Sequence, residues 1–259
     1  MLQPIHYLFI VLGGFAAGAV NALAGGGTLI TFPILTAIGI PPVIANITST
    51  VSLFPGYFGA AIAQLPDVMG QRNRLAAFIP AAALGGLTGG LLLFLSDEKF
   101  FIRLVPFLIL FAVILLALSE PLRLRLARAE SAAKRSEPRL ILITPLIYLA
   151  TIYGGYFGAG LSVIILAILA LTIDDSLTRL NALKQFIAFA ANTMAAALFL
   201  FSGRVMWGVA AVTAASALLG GLAGGKLAGW VNSAVLRWTV VSIGLIVALI
   251  FFVQYYFSA

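Results

Sequence analysis

The chain has 259 residues, of which 62% are hydrophobic and 9% charged, whereas a soluble domain carries roughly 25% charged residues. So few polar groups cannot cover a water-facing surface, which excludes a soluble enzyme, a nucleic-acid binder and, with no cysteine present, a secreted disulfide scaffold. The net charge of +7 is concentrated instead: six of the fifteen basic residues lie between Arg123 and Arg139, as in a cytoplasmic loop held by the positive-inside effect and anionic lipid.

In chain order, no Asp, Glu, Lys or Arg precedes Asp67, and further uncharged runs cover 75–95, 104–119, 140–173, 185–203, 205–225 and 238–259. A membrane-spanning helix needs about 20 apolar residues, so the chain reads as an all-α polytopic membrane protein. Ala22-Leu23-Ala24 has the form of a signal-peptidase site. With no basic residue before it and apolar sequence far beyond it, the N-terminus reads as a retained span. Breaks at Gly25–Gly27, Gly39–Pro42, Leu65–Arg74 and Ser96–Lys99 predict helical segments over 5–24, 28–40, 43–64, 75–95 and 100–119. Past the charged segment they are predicted over 140–157, 161–173, 177–201, 205–230 and 235–257. The second segment of each half is too short for a perpendicular span. It reads as a half-helix or re-entrant piece, which lipid permits only where protein covers the broken backbone.

The halves resemble each other. Leu84-Gly85-Gly86-Leu87-Thr88-Gly89-Gly90 recurs as Leu219-Gly220-Gly221-Leu222-Ala223-Gly224-Gly225 at an offset of 135. Gly13-Gly14-Phe15 has an echo in Gly154-Gly155-Tyr156, and Gly25–Gly27 in Gly158-Ala159-Gly160. The organisation read from this is an N-terminal transmembrane repeat (1–119), a charged cytoplasmic loop (120–139) and a C-terminal transmembrane repeat (140–259). Five segments per half place twelve basic residues inside and three outside; joining the first two segments of each half into one broken helix gives nine and six. The positive-inside rule favours the first, two inverted repeats of five segments with broken or re-entrant helices near the repeat interface.

Candidate substrate contacts follow from the breaks. The run Asn21 to Thr28 contains Gly25, Gly26 and Gly27, and a helix opening at Thr28 presents free N–H groups and a partial positive charge to an anion. Asn46, Thr48, Ser49 and Thr50 supply further uncharged donors, although hydroxyls also bond back to helix carbonyls. In the second half the corresponding places hold Gly158, Gly160 and Ser162, then Asn181, Lys184 and Gln185, with Asn192 two turns later. Lys184 either snorkels to the cytoplasmic interface or faces a wet cavity and balances an anion. Asp174 and Asp175 read as interfacial caps, and the glycine-rich repeats Leu84–Gly90 and Leu219–Gly225 as helix-packing faces. No carboxylate falls at mid-span, so no proton carrier, metal ligand set or catalytic constellation is evident, and no cofactor is expected.

The stretch Ala17-Gly18-Ala19-Val20-Asn21-Ala22-Leu23-Ala24-Gly25-Gly26-Gly27-Thr28, with Pro33 and then Ala45-Asn46-Ile47-Thr48-Ser49-Thr50, resembles the first repeat of the TauE/SafE family. That family comprises sulfite exporters of the four-toluene-sulfonate uptake permease type, transporters of sulfite and small organosulfonates. The resemblance spans the chain, but Gly158-Ala159-Gly160-Leu161-Ser162 lacks the family's fuller glycine run and proline. It implies a multi-pass transporter of a small sulfur-containing anion in the bacterial inner membrane, working as an exporter. Its partners would then be that anion and the lipid bilayer, with no nucleic acid; the oligomeric state stays open. A membrane assembly subunit whose glycines merely pack helices is the alternative.

Overall fold

The computed structural model describes residues 3–23, 26–129, 140–227 and 233–257. These residues form helices and no strand. In order the helices are α1 (Pro4–Leu23), α2 (Thr28–Ala37), α3 (Pro42–Ala63), α4 (Leu65–Val68), α5 (Arg72–Leu95), α6 (Glu98–Ala129), α7 (Leu140–Tyr156), α8 (Leu161–Thr172), α9 (Leu177–Leu200), α10 (Trp207–Leu227) and α11 (Ser233–Tyr256). Five helices contain stretches long and apolar enough to cross a membrane: Pro4–Asn21, Arg72–Leu95, Glu98–Ser119, Leu177–Leu200 and Arg237–Tyr256. α3 matches them in length, with 22 residues, but carries Asn46, Thr48, Ser49 and Ser52 along its buried side and a half-buried Thr50.

Two helices depart from the sequence expectation. α6 continues to Ala129 instead of ending near 119, because the Leu, Arg and Ala that follow Pro121 are strong helix formers. The expected loop 120–139 therefore begins as helix, and its residues 130–139 lie outside the described ones. α4 is an additional single turn opened by Pro66 in its first turn.

α1 and α2 form a hairpin rather than one interrupted rod. Gly13 packs on Ile34 and Gly27 on Ala17, so α2 returns toward the end at which α1 began. α7 runs parallel to α5, with Gly85 against Thr151 and Gly89 against Ile152 and Tyr156. α8 then comes back to the starting end of α5, where Asp175, just beyond α8, pairs with Arg74. Both short helices are thus re-entrant in shape.

The most extensive helix contacts exchange partners between the halves. α1 lies along α10 as α7 lies along α5, and α3 meets α10 as α9 meets α5. Along the first pair Tyr7 stands beside Gly208, Gly14 against Ser216 and Gly18 against Ala217, so these helices also run parallel. Two pairs instead join like-placed helices and run antiparallel. Gln64 meets Asn181 and Phe54 meets Phe189 between α3 and α9. Between α6 and α11, Arg103 meets Tyr256 and Val113 meets Gly244.

α2 and α8, α3 and α9, and α5 and α10 begin 133, 135 and 135 residues apart, close to the offset of the glycine-rich repeats. The echo of Gly13-Gly14 in Gly154-Gly155 falls out of this register. The first pair sits mid-way along α1, whereas the second occupies the last turn of α7. Two glycines serve different helices there, and the similarity is local.

Glycines bring backbones into contact where a methyl group would not fit. A Cβ on Gly18 would collide with the Ala217 carbonyl, and one on Gly86 with the Ala191 carbonyl, whereas Gly56 on α3 has nothing within 4 Å. Gly18→Ala and Gly86→Ala are expected to destabilise the folded protein by about 1–3 kcal/mol or more. Gly56→Ala should be neutral or stabilising by up to about 1 kcal/mol. Thermal unfolding in detergent checks this, and equal loss in all three variants would contradict it.

The starting end of α5 is fastened to the second half by charge. Asp175 pairs with Arg74 and with Arg179, whose Nε lies 3.0 Å from Oδ1, and its Oδ1 also accepts the Ser176 amide at 2.8 Å. Partial burial raises its affinity for a proton, but the Arg74, Arg179 and Ser176 contacts outweigh that and hold the carboxyl below the usual carboxylate range. A carboxyl depressed in the folded state stabilises it above its unfolded pKa, near 3.9, and loses that contribution as pH falls through the folded value. Asp175→Asn should therefore lower stability at neutral pH by about 1–2 kcal/mol. The gap between variant and parent should close only in acid below the usual carboxylate range, as unfolding measured against pH would show.

Candidate functional site

The two breaks meet. Gly26 (φ +103°) precedes α2, while Gly158 (φ +81°) and Gly160 (φ +77°) precede α8, conformations open to glycine and strained for other residues. A Cβ built on Gly158 would stand 3.9 Å from Thr28 Oγ1. α2 leaves this point toward the start of α3 and α8 leaves it toward the start of α9, so two helix N-termini face a common region from opposite sides. Each carries the equivalent of about half a positive charge on its unpaired amides. The Ser162 amide, in the first turn of α8, makes no hydrogen bond among the described residues.

Side chains satisfy the backbone around the breaks. Asn21 Oδ1 accepts the Gly27 amide at 3.2 Å. Thr31 Oγ1 donates to the Gly27 carbonyl at 3.3 Å and shares a 2.6 Å hydrogen bond with Ser49 Oγ on α3. In the second half Asn46 Nδ2 donates to the Tyr156 carbonyl at 2.8 Å, and the Tyr153 hydroxyl donates to the Ala159 carbonyl at 2.7 Å. Because a carbonyl only accepts, the Asn46 amide orientation is fixed. Its Oδ1 is fully buried and has no hydrogen-bond partner among the described residues.

Tyr57 links this region to α9. Its buried hydroxyl lies beside the Asn21 and Asn192 side chains, and Asn192 Nδ2 donates to the Ala188 carbonyl at 3.0 Å. Tyr57 lies eleven residues after Asn46, three helical turns on the same face of α3. That spacing is the one sequence signal by which it could have been found.

The sequence candidates fall into three groups. Asn21, Gly26, Gly27, Thr28, Gly158, Gly160 and Ser162 surround the convergence, with Asn46 and Ser49 behind it. Gly25 lies outside the described residues. Thr48 and Thr50 serve the backbone instead: Thr48 Oγ1 accepts the Met206 amide at 3.2 Å, and Thr50 Oγ1 donates to the Asn46 carbonyl at 3.0 Å. Asn181 and Lys184 stand elsewhere, hydrogen-bonded in a chain with Gln64. Gln185 lies on α9 between them and Asn192. Among the described residues no cluster of His, Cys, Asp or Glu could hold a metal ion.

Opposed helix N-termini, uncharged donors and a buried tyrosine form a region suited to a small anion. The Tyr57 hydroxyl is the group beside Asn21 and Asn192 that can turn toward an anion, and a hydrogen bond to a charged group is worth about 1.5–3 kcal/mol. Tyr57→Phe should therefore weaken anion-dependent thermal stabilisation, whereas Thr50→Val should leave it unchanged. The same shift in both would contradict this grouping.

The sequence profile described as "Sulfite exporter TauE/SafE" matches residues 10–251. A "Probable membrane transporter protein" of Haemophilus influenzae is 30% identical over 227 residues, which cover 87% of this chain and 86% of that protein. A protein of a Sinorhizobium species, also described as a probable membrane transporter protein, is 28% identical over 223 residues, covering 85% of this chain and 82% of its own length.

Proposed function

The chain belongs to the sulfite exporter TauE/SafE family of membrane transporters, and on that premise we propose that it carries a small sulfur-containing anion, sulfite or an organosulfonate, outward across the bacterial inner membrane. The observation that carries this reading is the meeting of two re-entrant helix N-termini at Thr28 and Gly158. The antiparallel pairing of α3 with α9 and of α6 with α11 supports two repeats of inverted orientation, since a two-fold axis perpendicular to the helices reverses like-placed partners. In that arrangement the substrate sits where the repeats meet. Asn21, Tyr57 and Asn192 line it, and the amides that open α2 and α8 hold the oxyanion.

Export of this kind draws on the membrane potential. An inside-negative potential drives each negative charge outward by about 2.3 kcal/mol per 100 mV, so neither a proton nor a sodium ion has to accompany the anion. The test is purified protein in liposomes, with labelled sulfite, sulfate, thiosulfate, sulfoacetate and taurine compared. With pH and sodium clamped equal on both sides, sulfite flux should rise with imposed potential. Flux indifferent to potential but following a proton or sodium gradient would overturn the coupling, and absence of sulfur-anion flux would overturn the substrate.

A further inference from the structure

One ammonium in the apolar helices stands apart from the convergence of the breaks. Lys184 is half-buried on α9, and its Nζ donates to Asn181 Oδ1 at 2.6 Å. Asn181 Nδ2 donates to Oε1 of Gln64, the residue that ends α3, at 3.0 Å. The three side chains thus join the two halves of the molecule. Both ion pairs among the described residues are made by Asp175, and neither includes Lys184.

The chemistry left over is one-sided. An ammonium has three donors and no acceptor, and a carboxamide nitrogen has two donors. With one Lys184 donor and one Asn181 donor used, the remaining N–H groups of Lys184, Asn181 and Gln64 belong to a hydrogen-bonded chain that carries a single positive charge. A cation at this depth is expensive unless an anion or water faces it. No carboxylate among the described residues does so.

Position distinguishes this cluster from the helix breaks. Lys184 precedes Asn192 by eight residues and Gln64 follows Tyr57 by seven, intervals of about 12 Å and about 10 Å along their helices. α3 and α9 run antiparallel, so both intervals lead the same way, toward the end marked by Arg74 and Asp175. Gln185 falls on the same face of α9 as Asn192, seven residues earlier, and lies between the two clusters.

We propose that Gln64, Asn181 and Lys184 form a separate anion subsite that loads a small oxyanion from the Arg74–Asp175 side before it reaches the helix N-termini. This rests on the transport reading above and adds a second station to it. The subsite concentrates the anion without taking part in the central binding step.

The experiment measures sulfite flux against sulfite concentration in liposomes containing the parent protein, Lys184→Gln, Lys184→Arg or Asn181→Asp. Asn181→Asp preserves size and places a carboxylate on the ammonium, occupying it from within. Lys184→Gln and Asn181→Asp should each raise KM about tenfold, equivalent to about 1.4 kcal/mol, with Vmax held within about twofold. Lys184→Arg should stay within about threefold of the parent. An unchanged KM in Asn181→Asp overturns the subsite, because a lysine that merely reaches for the interface is indifferent to that change. A folded variant whose flux more substrate cannot restore overturns it too, by making the residue part of the central step. Parent protein without sulfite flux overturns both the subsite and the transport reading, whereas parent flux with unshifted variants overturns the subsite alone.

Discussion

A peptide group without a hydrogen-bond partner costs several kcal/mol in hydrocarbon, and the rest of this fold follows from how it interrupts helices under that constraint. α1 stops at Leu23 and α7 at Tyr156, each before a short glycine-bearing turn. Such turns persist inside a helical bundle only when something other than water takes up their amides and carbonyls. Here Asn21, Asn46, Thr31 and Tyr153 do so. The polar side chains nearest the breaks therefore have a structural duty before any functional one. Asn21 shows the overlap best, since it caps the Gly27 amide and also meets the Tyr57 hydroxyl.

Covering the breaks with protein requires close neighbours, and the reciprocal exchange of helices supplies them. α1 lies against α10 and α7 against α5 through small residues whose replacement by anything larger would strike backbone. Neither half encloses its own break. Gly158 of the second half comes to Thr28 of the first, and Asn46 of the first half satisfies Tyr156 of the second. The positive ends of α2 and α8 are consequently brought together by the same packing that keeps their backbones away from lipid.

Much of this could be read from the sequence because composition in a bilayer is so restrictive. The absence of charge before Asp67 fixed the environment, and Gly25–Gly27 and Gly158–Gly160 marked breaks that the helix boundaries reproduce to within a few residues. The register of the repeat at Gly13 and Gly154 was misleading because glycine has two uses, packing mid-helix and ending a helix, that look alike as letters. Thr48, Ser49 and Thr50 were ambiguous for a related reason: a hydroxyl on a helix can serve a carbonyl one turn back, another helix or a ligand. Only the placement of α3 beside α2, α9 and α10 separates Ser49 from Thr50. Lys184 reads from the sequence as a neighbour of the breaks, since the repeat offset of 135 pairs it with Ser49, whereas the antiparallel course of α9 carries it away from them.

That separation bears on how an anion site can work in a carrier. Binding must be favourable enough to load the site and weak enough to empty it. Two helix N-termini together offer about one elementary charge, spread over backbone amides that cannot move without the helices themselves. Hydrogen bonds from Tyr57 and the asparagines to the proposed anion would add direction without adding charge. A full cation directly against the anion would deepen the well and slow release at every turn of the cycle. With Lys184 about 12 Å along α9 from Asn192, its attraction falls with distance and is screened wherever water enters. The protein thereby keeps the charge proposed to draw an anion into the bundle apart from the dipoles proposed to hold it.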